Sequence, residues 1–344
     1  MRSAGSLQVP AALRRYFGAP LAGTAGKPAT PGRWRHHQYS GRHGSRIYDV
    51  YLPAGLNPRA PVPLVLLLHG CRQGSVDFAP YSGFTGAADA DGFVVVAPRQ
   101  EVRHQLGRCW RWYDSGHQQR DLGEPALLAG IVAEVLGRDT EFRIDRRRVY
   151  AAGLSAGGAM ALILATTYPD VIAAAGVHSA TAYRSATQSF RALSAMAARG
   201  TAPRGATGEM APVVLIHGTG DQVVRPTNAD RIVDQWLTSR DDGGAWRRVR
   251  TLARTRSFVV DGRRCIRTRW YSLRGRRVLE YWRVDGLAHA WSGGRTSGSY
   301  IDPSGPEATQ IRRPSSGSTG CRTRRAVRTV EPSRTTSPDC PRRA

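Results

Sequence analysis

The sequence predicts an α/β fold, a mostly parallel doubly wound sheet with helices on both faces. Three observations point there. Short continuous apolar runs, Leu64–Leu68, Phe93–Ala97 and Val213–Ile216, have the composition of strands covered on both sides. Helix-forming stretches such as Pro125–Leu136 alternate with these runs, the rhythm of βαβ units. Finally, a Gly-x-Ser-x-Gly pentapeptide, Gly153–Gly157, joins the apolar run Val149–Ala152 to the helix-forming stretch Ala159–Thr166. That is the strand–turn–helix context of a nucleophile elbow.

Taken in order, residues 1–39 are rich in Ala, Gly, Pro and Arg without a sustained period, and read as a weakly ordered lead-in. A folded domain is expected over residues 40–310. Arg46–Leu52 alternates like a strand with one buried face, and Pro53 and Gly55 mark a turn after it. The helix Pro125–Leu136 carries Glu124 near its positive end. After the elbow, Ile172–Val177 and Val213–Ile216 read as two more buried strands, and Thr227–Leu237 as a helix capped by Thr227. Trp270–Leu273 and Val278–Trp282, joined around Gly275, suggest a hairpin whose arginines form a solvated strand face. Residues 311–344 hold Arg, Ser, Thr and Pro with almost no apolar side chains, so they cannot bury a core and read as disordered.

The chain of 344 residues has a formal net charge of +24. Charge of that size suggests a nucleic acid or another polyanion as partner. Two facts argue against it. Lys27 is the sole lysine, so the excess is arginine, and it is concentrated. Arg240–Arg277 holds thirteen arginines against three aspartates, and the tail from Ile311 holds nine against Glu331 and Asp339. No nucleic-acid partner is therefore expected. No apolar run approaches the length of a membrane-spanning helix, and the N-terminal stretch lacks a clean signal-peptide core. Neither a membrane partner nor an oligomer is expected.

A serine hydroxyl needs a base, and the base an orienting carboxylate. In the α/β-hydrolase arrangement these follow the nucleophile in the order acid, then histidine. Of the histidines after Ser155, His178 and His217 precede every suitable acid, which leaves His289 in the loop Gly286–Trp291. For the acid, Asp221 follows the buried strand Val213–Ile216 through a glycine-containing loop, at the end of a sheet strand where α/β sites gather. Asp285 is its main rival, set inside a strand-like run; Asp230 and Asp234 read as solvated. For the oxyanion hole, one backbone amide is expected from Ala156 and the other from Cys71, in the loop His69–Gln73. His69 reads as structural, because it precedes the serine.

With these parts together, the chain resembles the polyhydroxybutyrate depolymerase family of esterases within the α/β hydrolases. The matching segments are Pro63–Cys71, Cys109–Trp112, Gly123–Leu127, Arg148–Met160, Gly176–Ser179, the Asp221 loop and Gly286–Gly294. The resemblance covers about residues 46–310. It implies hydrolysis of carboxylic esters through an acyl-enzyme, without metal or organic cofactor, on short-chain polyhydroxyalkanoates, acetylated xylan or feruloyl esters. Many relatives are secreted, which implies an extracellular site of action, although the missing leader leaves the cytoplasm open. A disulfide between Cys71 and Cys109, both inside family motifs, would anchor the oxyanion loop. Trp112, in the Cys-Trp-x-Trp segment, would either line the acyl site or sit in the core. Cys265 reads as a small buried hydrophobe, with Cys321 and Cys340 in the tail. Relatives continue past Gln310 into a closing helix; here the pattern gives way at Ile311–Pro314, which reads as a shifted reading frame or a replaced C-terminus.

Overall fold

The computed structural model describes residues 31–138, 142–200, 209–240, 246–295 and 298–310. The tail from residue 311 and the lead-in up to residue 30 lie outside the described residues. Strands β1 (Arg33–Gly41) and β2 (Gly44–Leu52) form an antiparallel hairpin, followed by β3 (Val62–Leu68). Helices α1 (Ser75–Tyr81) and α2 (Phe84–Asp91) lead to β4 (Val94–Pro98). A long loop then precedes α3 (Gly123–Leu136), β5 (Ile144–Leu154), α4 (Ala156–Thr167) and β6 (Ala174–His178). The short α5 (Ala192–Met196), β7 (Val213–Gly218) and α6 (Thr227–Trp236) complete the alternation. A small pair, β8 (Thr238–Arg240) and β9 (Trp246–Arg248), comes before the meander β10 (Thr251–Val260), β11 (Arg263–Ser272) and β12 (Arg277–Val284). Last come the two-residue strands β13 (Trp291–Ser292) and β14 (Ile301–Asp302).

Ten strands form one sheet in the order β1-β2-β4-β3-β5-β6-β7-β12-β11-β10. From β4 to β12 every neighbouring pair is parallel, and antiparallel strands extend both edges. Strand β3 is buried along its whole length, and its period of two feeds two cores. Leu64, Leu66 and Leu68 pack with Leu128 and Ile131 of α3, Leu162 of α4 and Ile232 of α6. Val65 and Leu67 pack on the opposite face with Phe78 of α1 and Phe84 and Ala88 of α2. The α/β class with helices on both faces is thus the architecture observed. Among the described residues no helix is long and apolar enough to cross a membrane.

Several local expectations change. Strand β1 begins at Arg33, inside the segment read as weakly ordered. Most of its side chains are exposed, so it carries no apolar period; full-length pairing with β2 and the ring contact of Trp34 with Tyr51 (5.1 Å) hold it. Thr227 is the first residue of α6, and Pro226 is its cap. Strand β6 starts at Ala174, because the Ile172 amide still closes the preceding turn onto Tyr168 O (2.8 Å). The hairpin around Gly275 is part of a three-stranded meander, and not all its arginines are solvated. Arg267 and Arg277 are buried: Arg267 lies over the rings of Phe258 and Trp282, and Arg277 and Arg269 share the buried Glu280.

Candidate active site

The elbow is built by a backbone that few residues tolerate. Ser155, between β5 and α4, has φ 55° and ψ −120°, on the side of φ that non-glycine residues rarely adopt. Its amide donates to His178 O at 2.9 Å, which ties the turn to the end of β6. The flanking glycines are sterically required. A Cβ on Gly157 would lie 2.6 Å from His69 O, and one on Gly153 would lie 2.7 Å from Leu68 O. The Ser155 side chain therefore stands at the C-terminal end of the parallel strands, where the ends of β3, β5 and β6 converge.

Ser155, His289 and Asp221 meet in one hydrogen-bonded chain. His289 Nε2 is 2.9 Å from Ser155 Oγ, and His289 Nδ1 is 2.8 Å from Asp221 Oδ2. With Nδ1–H donating to the carboxylate, Nε2 is left to accept the serine proton. Asp221 is fully buried, and its Oδ1 accepts the amides of Val223 (3.0 Å) and Val224 (2.8 Å). Burial opposes its ionisation, yet hydrogen bonds from His217 and His289 outweigh that cost and hold the carboxyl well below the usual carboxylate range.

Two loops must touch for this chain to close. The Thr219 amide donates to Val284 O (3.0 Å), and the Gly220 amide to Leu287 O (3.1 Å). Gly218 lies so close to Leu287 that any Cβ would enter that residue's backbone. The rival Asp285 is exposed in the turn after β12, where its carboxylate accepts from Thr219 Oγ1 at 3.4 Å. Asp230 and Asp234 are exposed on α6.

The other histidines are braces. His178 donates from Nδ1 to Ser179 Oγ (3.1 Å) and accepts the Ser292 amide on Nε2 (3.0 Å). Its burial, then the nearby His217 and His289, push its pKa down to about 3. His69 donates to Gly70 O (2.7 Å) and accepts the Gln100 amide (3.1 Å), and burial lowers its pKa to about 4. His217 donates from Nε2 to Val224 O at 2.8 Å, with Asp221 Oδ2 at 3.4 Å from the same nitrogen.

Facing the serine is the loop that carries Cys71. A Cβ on Gly70 would lie 3.6 Å from Ser155 Cβ, so this loop passes directly beside the hydroxyl. A disulfide joins Cys71 to Cys109, and Trp110 Nε1 donates to His69 O (3.1 Å). Glu124, buried in the first turn of α3, stiffens the same region by accepting from Arg46, Gln100 and the Arg111 amide. The Ala156 amide opens α4 and is among the first four, which have no intrahelical acceptor. Trp112 is 6% exposed and packs in the core that holds α3 and α4. Cys265 is free and buried.

Two residues beside the chain were not singled out from the sequence. Tyr300 sets its ring 6.1 Å from the His289 ring at 77°. Gln73 accepts the Gly70 amide (2.8 Å) and donates to Ser299 O (2.7 Å). No motif marks either. Among the described residues no group of His, Cys, Asp or Glu is arranged to hold a metal ion.

Comparison with known proteins bears on the family and the fold. The sequence model described as Esterase PHB depolymerase matches residues 46–256. Poly(3-hydroxyalkanoate) depolymerase C of Paucimonas lemoignei is 32% identical over 54% of this chain and 46% of its own length, so the match spans less than half of that enzyme. Feruloyl esterase B of Thermothelomyces thermophilus is 29% identical over 54% of this chain and 68% of its own length. Among solved structures, acetyl xylan esterase from Aspergillus awamori superposes with a TM-score of 0.60 at 18% identity, covering 75% of this chain and 94% of that one. The fold is that of the α/β hydrolases. With the family's model spanning well over half of its residues, the chain belongs to the Esterase PHB depolymerase family.

Proposed function

We propose that the protein is a serine carboxylic-ester hydrolase, acting on short-chain polyhydroxyalkanoates or related esters. The observation that carries this is the continuous hydrogen-bonded chain from Ser155 Oγ through His289 to Asp221. Ser155 Oγ attacks the ester carbonyl while its proton passes to His289 Nε2. The tetrahedral oxyanion accepts hydrogen bonds from the Cys71 and Ala156 amides, each worth on the order of 10²–10³ in turnover. As the carbonyl re-forms, the C–O bond to the alcohol breaks and His289 returns the proton to the leaving oxygen. Water then adds to the acyl-serine by the same route and frees the acid. Asp221, held ionised, keeps the imidazole in the tautomer that this sequence needs.

An acetylxylan or feruloyl esterase is the second reading, favoured by the match to feruloyl esterase B, of which two thirds is covered. The deciding experiment compares wild type with Ser155→Ala on p-nitrophenyl esters, then on hydroxybutyrate oligomers, acetylated xylan and methyl ferulate. Loss of all ester hydrolysis in the variant is expected. Equal rates in both proteins would end the esterase reading, and the preferred natural ester chooses between the two substrate classes.

A further inference from the structure

Tyr300 occupies a position that the backbone would assign to glycine. Its φ is 57°, a region where bulky side chains are outliers, yet the residue is a tyrosine with 44% of its surface exposed. Its ring stands edge-on to His289, at 6.1 Å and 77°. The segment is held, not loose. Tyr300 O accepts the Trp291 amide (2.7 Å), and Trp291 pairs with Ile301 in the β13–β14 ribbon. Gln73 fastens the neighbouring Ser299 O to the Cys71 loop by donating to one side and accepting the Gly70 amide on the other. The walls on the two sides of Ser155 are thereby joined through one buried amide side chain.

We infer that Tyr300 is a substrate-contacting residue that selects the alcohol portion of the ester. This rests on the ester-hydrolase reading above. The direction follows from the proton path: His289 must deliver a proton to the leaving oxygen, so the alcohol departs along the His289 side. The acyl oxygen faces the Cys71 and Ala156 amides instead. An exposed aromatic ring beside His289 meets the alcohol and not the acyl chain. It offers an apolar face with a polar tip, suited to an alcohol that carries a ring or a broad apolar surface.

The test uses acetates of methanol and cyclohexylmethanol, two alcohols of similar basicity, and a second pair, methyl acetate and methyl hexanoate. Tyr300→Gly removes the ring while accepting the observed φ, and Tyr300→Phe retains the ring. In Tyr300→Gly the preference for the cyclohexylmethyl over the methyl ester is expected to fall about three- to tenfold, through KM. The hexanoate-to-acetate preference stays within about twofold, and Tyr300→Phe keeps the wild-type alcohol preference. A uniform loss on all esters, or a shift confined to the acyl pair, would overturn the inference while leaving the hydrolase reading intact. A wild-type protein that cleaves none of the four esters would overturn both.

Discussion

His178 accepts the amide proton of Ser292 at 3.0 Å, and this bond secures the strand that begins two residues after His289. Both partners are buried. Replacing His178 by Phe keeps an aromatic ring against Trp291 but leaves the Ser292 amide without an acceptor. Stability should drop by about 1–3 kcal/mol, the cost of an unpaired buried donor. Because the His289 loop loses its anchor, kcat should fall more than KM rises. Urea titration and steady-state kinetics on the same preparation measure both effects; unchanged values would assign the brace elsewhere.

Acid should destabilise the protein from just below the ordinary histidine pKa, before Asp221 is protonated. Burial lowers the pKa of His69 to about 4 and of His178 to about 3, from an ordinary 6.5. Below pH 6.5 the unfolded chain therefore binds protons that the folded chain refuses. The contribution is complete above that pH and is lost as the pH falls toward 4 and then 3, with a slope of up to ~1.4 kcal/mol per pH unit for each histidine. Asp221, whose carboxyl is depressed, adds its loss only below the ordinary aspartate value. Urea midpoints that stay constant from pH 7 to pH 5 would contradict this.

Asp221→Asn and Asp285→Asn should separate cleanly. The first removes the acceptor that fixes His289 Nδ1–H, and the loss in kcat should be on the order of 10³–10⁴. The second alters an exposed residue whose carboxylate accepts from Thr219 Oγ1, and its kcat should stay within about twofold. Kinetics on a soluble ester decide the matter. Comparable losses in both would return Asp285 to the role of acid.

The Cys71–Cys109 bridge closes a loop with a sequence separation of 38. Loop-closure entropy gives such a bridge about 4 kcal/mol. Substituting both cysteines by serine should lower stability by an amount up to that figure, and should weaken turnover because the Cys71 amide is then held only by its neighbours. Denaturant midpoints and kcat for the double variant, against the oxidised parent, supply the test. A variant as stable as the parent would mean that the Trp110 and Gln73 bonds alone hold the loop.

The parts of this site that the sequence exposes are those with a local signature. Gly153 and Gly157 announce a turn because no side chain fits there, the order of residues along the chain selects His289, and the place of Asp221 just after a buried strand favours it over Asp285. Contacts between distant segments leave no such trace. Gln73 and Ser299 are 226 positions apart, and nothing near either residue announces the other. Strand β1 was missed for a different reason: one exposed, hairpin-paired edge strand needs no apolar repeat. The buried Arg267 escaped because its shelter, Trp282, is a cross-strand neighbour that only the register of the meander brings to it, and Arg277 because its partner Glu280, three residues on along the same strand, is buried only once the sheet is assembled.

Ser155, His289 and Asp221 hang from the ends of β5, β12 and β7, and no two of these three strands are consecutive in sequence. Their hydrogen bonds tolerate displacements of only a few tenths of an ångström, whereas adjacent residues along a strand are about 3.3 Å apart. A slip of one residue between β7 and β12 would therefore break the hydrogen-bonded chain from Ser155 to Asp221. Turnover in this protein is a vernier on the sheet: it reports strand alignment at a finer scale than spectroscopy of secondary structure can resolve.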